Sequence, residues 1–223
     1  MAADFWQAKP YTEWSEKDSR KLLTNSPWAR SFTLPMTGSA MGAGGRSGGR
    51  GGGGGGGGRS GAGSEAAPVS TEIVARWQSA LPLKQALMRL RFGAEAATSP
   101  QAKEFLDQAE TAYIIVLSGP LRAAMRGDRR GNSEGNPQGI PGDLKAALMA
   151  ATTLTTKGRD ALKLTDVQIT TNETPPEVVL YFPRSIAYTL DDKEVELSTK
   201  LGNLSLNFKF HLKDMVFNGN LAL

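Results

Sequence analysis

The stretch VELSTKLGNLSLNFKF, from Val195 to Phe210, narrows the fold more than any other part of the chain. Two runs of alternating residues flank the dipeptide Gly202-Asn203. Glycine at the first position of a two-residue turn is the type II′ hairpin signature. Pairing outward from the turn sets Leu201 opposite Leu204, Thr199 opposite Leu206, Leu197 opposite Phe208, and Val195 opposite Phe210. These share one face. The other face sets Glu196 opposite Lys209 and Glu194 opposite His211. Apolar alternation and charge complementarity select the same register, and a slip of one residue would turn every side chain over. An antiparallel hairpin with one buried face must therefore be part of the fold.

The rest of the chain mixes helices and strands. Ser15 followed by Asp18 reads as a capping box opening a helix, which Asn25-Ser26-Pro27 ends. Ser26 and Pro27 also fit the start of a short second helix. Arg30 to Pro35 alternates like a strand, and Ile73, Ala75 and Trp77 mark one face of another. LPLKQALMRLRF reads as a helix with Pro82 near its start and Gly93 past its end. A further helix is capped by Ser99 with Pro100 at its first position. TAYIIVLSG is a buried strand, and PLRAAMRG a short helical piece. DLKAALMAATTLTTKG reads as one helix, with Leu144, Leu148, Ala151 and Leu154 on a face and Gly158 at its exit. DVQITT and EVVLYFP are strands joined by a turn at Asn172–Pro176. The expected fold is α+β, a largely antiparallel sheet with helices on one face.

Glycine is concentrated in one place: 16 of the 26 lie between Gly38 and Gly63. The residues before this tract are too few for a core of their own. The expected organisation is one domain over 1–223, with 38–68 a disordered Gly-rich insertion and 127–141 a polar loop. The insertion would then run between two strands of one sheet, because the entropy of closing such a loop grows only logarithmically with length.

Composition excludes several chemistries. There is no cysteine, so disulfides, thiolate nucleophiles and Cys-based metal sites are out. The formal charge is +4, and Arg46, Arg50 and Arg59 of the Gly-rich tract supply three of the cations. The remaining chain is near neutral and lacks a large phosphate-binding face. His211 is the sole histidine and reads as half of a surface pair with Glu194. No HExxH or P-loop spacing occurs. The GxSxG match at Gly45–Gly49 lacks the strand before and helix after that a nucleophile elbow requires. The acids Asp191, Asp192, Glu194 and Glu196 read as a turn feeding a solvated strand face rather than a calcium site. The tract holds a single RGG, at Arg50-Gly51-Gly52, with no aromatic residue to stack on bases.

Three blocks carry a resemblance: DFWQAKPYTEWSEKDSRKLLTNSPWA at the start, VARWQSALPLKQAL in the middle and DKEVELSTKLGNLSLNFKFHLKDMVFNGNLAL at the end. Together they resemble a family of uncharacterised exported proteins of soil bacteria. The resemblance covers most of the chain outside the tract and the 127–141 loop, and it transfers no catalytic residue. It implies work in the periplasm or in secretions, which the Ala2-Ala3-Asp4 start also suits as a signal-peptidase remnant. The chain as given carries no signal peptide. The expectation is a non-catalytic binding or structural module without cofactor or metal. Its partner would be an unknown protein or envelope component, with no specific nucleic acid and no membrane span. Trp14, Trp28 and Trp77 are the residues put forward for partner contact, against the alternative that such indoles anchor the core. The alternative function is weak association with nucleic acid through the Arg/Gly tract.

Overall fold

The computed structural model describes residues 4–34, 72–121, 144–170 and 176–223. The Gly-rich insertion, the polar loop, the PLRAAMRG piece beyond Leu121 and the Asn172–Pro176 turn up to residue 175 lie outside the described residues.

The protein is mixed α+β, and every pair of strands among the described residues is antiparallel. Four helices come first or lie between early strands: α1 (Phe5–Ala8), α2 (Glu16–Thr24), α3 (Leu81–Phe92) and α4 (Pro100–Asp107). A further helix among the described residues, α5, spans Leu144–Ala151. One sheet has five strands. Its spatial order is β1 (Ala29–Thr33), β2 (Glu72–Trp77), β3 (Ala112–Ser118), β7 (Glu177–Pro183) and β6 (Asp166–Thr170). A second has four, in the order β5 (Leu162–Lys163), β4 (Thr153–Thr155), β8 (Glu194–Leu201) and β9 (Leu204–His211). A short ribbon of β10 (Val216–Phe217) and β11 (Asn220–Leu221) closes the chain.

The β8–β9 hairpin has the register that its sequence dictates, from Leu201 opposite Leu204 out to Glu194 opposite His211. Gly202 sits at φ 59° while Asn203 does not enter the positive-φ region, as a type II′ turn requires. The strands on either side of the Gly-rich tract are also partners, with Phe32 opposite Ile73 and Thr33 opposite Glu72.

Three local expectations change. The single sheet is two, because β4 pairs with β8 and β3 with β7, far apart along the chain. The helix expected over 143–158 ends at Ala151, and Thr153–Thr155 form strand β4. Four threonines between 152 and 156 explain the switch, since β-branched side chains are stiff in a helix and pack well on a sheet. Thr152 and Thr199 share a buried hydrogen bond of 2.7 Å, and Leu154 reaches the core from a strand instead of a helix. No second helix starts at Ser26-Pro27. The Ser26 hydroxyl donates back to the Leu22 carbonyl at 2.6 Å, and Ala29 N–H donates to the Ser26 carbonyl at 3.1 Å, closing a tight turn into β1. The sequence reading also passed over Asn218-Gly219. Both residues have positive φ, 50° and 79°, the type I′ turn that makes the β10–β11 ribbon.

Inner faces of the two sheets meet over one core. Ile73, Ala75 and Trp77 of β2, Ile115 and Leu117 of β3, and Leu180 and Phe182 of β7 face Val195 and Leu197 of β8 and Phe208 and Phe210 of β9. Trp77 sits at the junction, edge-on to Tyr113, Tyr188 and Phe210 at centroid distances of 5.7, 6.4 and 5.4 Å. A second aromatic cluster ties the two ends of the chain together. Trp6 meets Trp28 at 6.0 Å, and Trp28 meets Phe217 at 6.4 Å. The Trp28 indole N–H donates to the Ala222 carbonyl at 2.8 Å, and the Gln7 amide to Val216 at 2.7 Å.

Helix α2 begins in the capping box expected of Ser15 and Asp18. Asp18 N–H donates to Ser15 Oγ at 3.1 Å, and Ser15 N–H returns a bond to Asp18 Oδ2 at 3.1 Å. The Ser15 hydroxyl, and then its backbone N–H, hold the Asp18 carboxyl below the usual carboxylate range. A carboxyl depressed in the folded state contributes stability above its ordinary pKa and loses it as the pH falls through the folded value. Ser15→Ala is therefore expected to cost about 1 kcal/mol at neutral pH, and the cost should shrink as the pH falls below the ordinary aspartate value of about 3.9 and through the lowered folded one. Urea melts of both proteins at pH 7 and pH 2.5 check this.

Candidate functional site

The three indoles put forward for partner contact are all interior. Trp14, Trp28 and Trp77 are 0 % exposed, so a partner reaches them only if the core opens. Their large apolar area holds the N-terminal segment and the two sheets together instead. Contrary to the expectation from sequence, Trp14, Trp28 and Trp77 therefore form no surface contact site.

His211 lies where the hairpin register places it, half exposed, with Nδ1 3.1 Å from Glu194 Oε2. Lys209 bridges Glu194 at 3.3 Å and Glu196 at 3.6 Å. The hydrogen bond to Glu194 and the charges of both acids raise the Lys209 pKa. Asp192 pairs with Arg159 at 2.7 Å and accepts the Thr189 N–H at 2.7 Å. These three carboxylates are thus matched to cations of the same chain.

Other charged and phenolic groups serve the sheets. Arg76 reaches across β3 to Glu177, binding both carboxylate oxygens at 2.8 and 2.9 Å, and also bonds Gln78 and Ser118. The Tyr113 hydroxyl donates to the Ile186 carbonyl at 2.8 Å and accepts the Tyr188 N–H at 3.3 Å. Burial pushes the Tyr188 phenol up to about 12, so it holds its proton throughout the physiological range.

The surface has two concavities among the described residues that stand out. One, of about 650 Å³, opens where the chain ends meet and is polar, with Lys21, Arg30 and Lys213 facing Asp4 and Asp214. The other, of about 870 Å³, lies between α3 and α4. Local sequence explains its shape. Gly93 takes φ 55° and ends α3, and a 3-10 turn over Gly93–Ala97 reverses the chain. Ser99 then caps α4, accepting the Ala102 N–H at 3.3 Å, with Pro100 at the first helical position. Lys84 joins the two helices from below. Its ammonium donates to the Gln108 carbonyl at 3.0 Å, pairs with Glu110 at 2.7 Å and lies 5.0 Å from the Phe105 ring centre. Arg89 fastens α3 to the N-terminal segment through the Trp14 carbonyl at 2.7 Å, and it also bonds Gly93.

The lining of this groove is apolar. Leu87, Leu90 and Phe92 come from α3 and Phe105 from α4, all partly exposed, over a buried Met88. Arg91, Gln101, Glu104 and Gln108 form an exposed polar rim. Arg91 stacks on the Phe92 ring at 5.5 Å. A concave apolar lining with a few polar groups on its rim is the usual form of a recognition site. The sequence held a signal for it: α3 keeps Leu83 and Ala86 for the core yet carries further apolar residues at Leu87 and Leu90, more than one buried face needs.

Comparison of the chain with protein-family models, curated proteins and solved structures gave no match. Among the described residues, no helix is long and apolar enough to cross a membrane.

Proposed function

We propose that this protein is a non-catalytic binding or structural module of the bacterial cell envelope or secretions, and that it recognises its partner through the groove between α3 and α4. The observation that carries the reading is that groove: partly exposed Leu87, Leu90, Phe92 and Phe105 ringed by polar residues. The tryptophans, by contrast, are committed to the interior. Placement outside the cytoplasm rests on the resemblance to exported soil-bacterial proteins.

Photo-crosslinking in living cells tests this reading. A crosslinking amino acid at Leu90 should give a discrete adduct with a protein partner. The same residue at Lys163, on the exposed side of β5, should give none. Absence of an adduct from Leu90, or equal adducts from both positions, contradicts the assignment.

A further inference from the structure

We propose that the occupant of the α3–α4 groove is an amphipathic helix of a protein partner, with an acidic flank against the α3 wall and a basic flank against the α4 wall. The inference rests on the groove reading above and names the partner's chemistry. Three observations carry it.

The first is the form of the walls. Each is one helix, and the residues that line it recur at helical spacing: Leu87, Leu90 and Arg91 on α3, and Gln101, Glu104, Phe105 and Gln108 on α4. A groove walled by two helices is a form that a third helix fills with side chains three and four apart.

The second is the backbone chemistry. Both walls are helices whose central main-chain groups are bonded along the helix, and the lining between them is apolar. An extended peptide laid here would leave its N–H and C=O groups without partners, because no sheet edge is offered. A helix brings its own hydrogen bonds.

The third is charge. Arg91 stands on the α3 wall and Glu104 on the α4 wall, both exposed. Neither has an ion-pair partner among the described residues, whereas Lys84 is engaged with Glu110 and Arg89 with backbone carbonyls; Lys103 and Asp107 of α4 do not line the groove. Opposite charge on opposite walls selects a ligand with opposite charge on opposite flanks. A fatty acyl chain would match Arg91 with its carboxylate but leave Glu104 unanswered.

Three stapled helical peptides with the same leucine stripe test the proposal by fluorescence anisotropy on the full-length protein. One carries Glu on one flank and Lys on the other, one carries Glu on both flanks, and one Lys on both. The wild type should bind the mixed peptide roughly ten-fold tighter than either of the others. Arg91→Glu makes both walls acidic and should shift the preference to the Lys peptide. Glu104→Arg makes both walls basic and should shift it to the Glu peptide. Both residues are exposed, so unchanged melting temperatures confirm folded variants. Leu87→Asp should abolish binding of all three. Equal affinity for the three peptides, or preferences that ignore the reversals, overturns the proposal. So does saturable binding of dansyl-undecanoate by a protein that binds none of the peptides. In that last case an adduct at Leu90 would still support the groove as the site, so the two readings fail separately.

Discussion

Trp77→Ala is expected to destabilise the protein by about 3–5 kcal/mol, the range for emptying a fully buried tryptophan site. The side chain has no exposed surface and touches both sheets: Tyr113 on β3 and Phe210 on β9, with Tyr188 beside them. Truncation removes the wedge between the layers and three edge-to-face contacts, each worth about 0.5–1.5 kcal/mol beyond area burial. The void is hard to close, since β2 and β3 are each laddered on both sides and β9 is held by β8. The melting temperature should fall by roughly 10 °C or more. Trp77→Phe is the informative companion. The buried indole N–H has no hydrogen-bond partner among the described residues, so phenylalanine removes an unmet donor while keeping an aromatic ring. It should cost well under half as much. Thermal unfolding of the pair followed by circular dichroism reads both effects. Equal losses would mean that the indole nitrogen matters more than the ring.

Gly119→Ala is expected to cost about 3 kcal/mol or more through the backbone alone. Gly119 has φ 124°, a conformation that L side chains rarely adopt, and a Cβ there would lie 2.4 Å from the Glu72 carbonyl oxygen and 3.2 Å from Ile73 Cα. Both obstacles are main chain of β2, which is held on one side by β1 and on the other by β3. Neither can rotate away as a side chain would. Gly158→Ala separates strain from collision. Its φ is 81°, but a Cβ there meets nothing within 4 Å. It should cost only about 1 kcal/mol. Urea-melt midpoints of the two variants measure the difference, and similar losses would contradict the collision.

What the sequence made legible was local. The β8–β9 register followed from alternation and charge within sixteen residues, and the Ser15–Asp18 and Ser99 caps from side chains next to the groups they bond. The partnership of β1 with β2 was readable too, because the residues before the Gly-rich tract are too few for a core of their own and the next strand is the one after the tract. The split into two sheets was not. It depends on β4 choosing β8 and β3 choosing β7, and alternation along one strand does not say which other strand lies beside it. The helix-to-strand change after Ala151 was a period misread: Leu154 fits the apolar face of a helix, yet the threonines around it favour a strand. The tryptophans were conspicuous in the sequence and interior in the fold. The groove residues were ordinary in the sequence, because leucine on a helix looks the same whether it faces a core or an open channel.

The central claim is that the residues before the Gly-rich tract belong to the same core as those after it, a single domain across the whole chain. Trp28 against Phe217, the bonds from the Trp28 indole to Ala222 and from Gln7 to Val216, and β1 against β2 are the contacts that support it. The most direct measurement cuts the tract at a site-specific protease sequence placed between Gly51 and Gly58. The account predicts that the two pieces stay together on size-exclusion chromatography and melt in one transition near that of the uncut protein. Release of the N-terminal piece, with the remainder still folded, would contradict it.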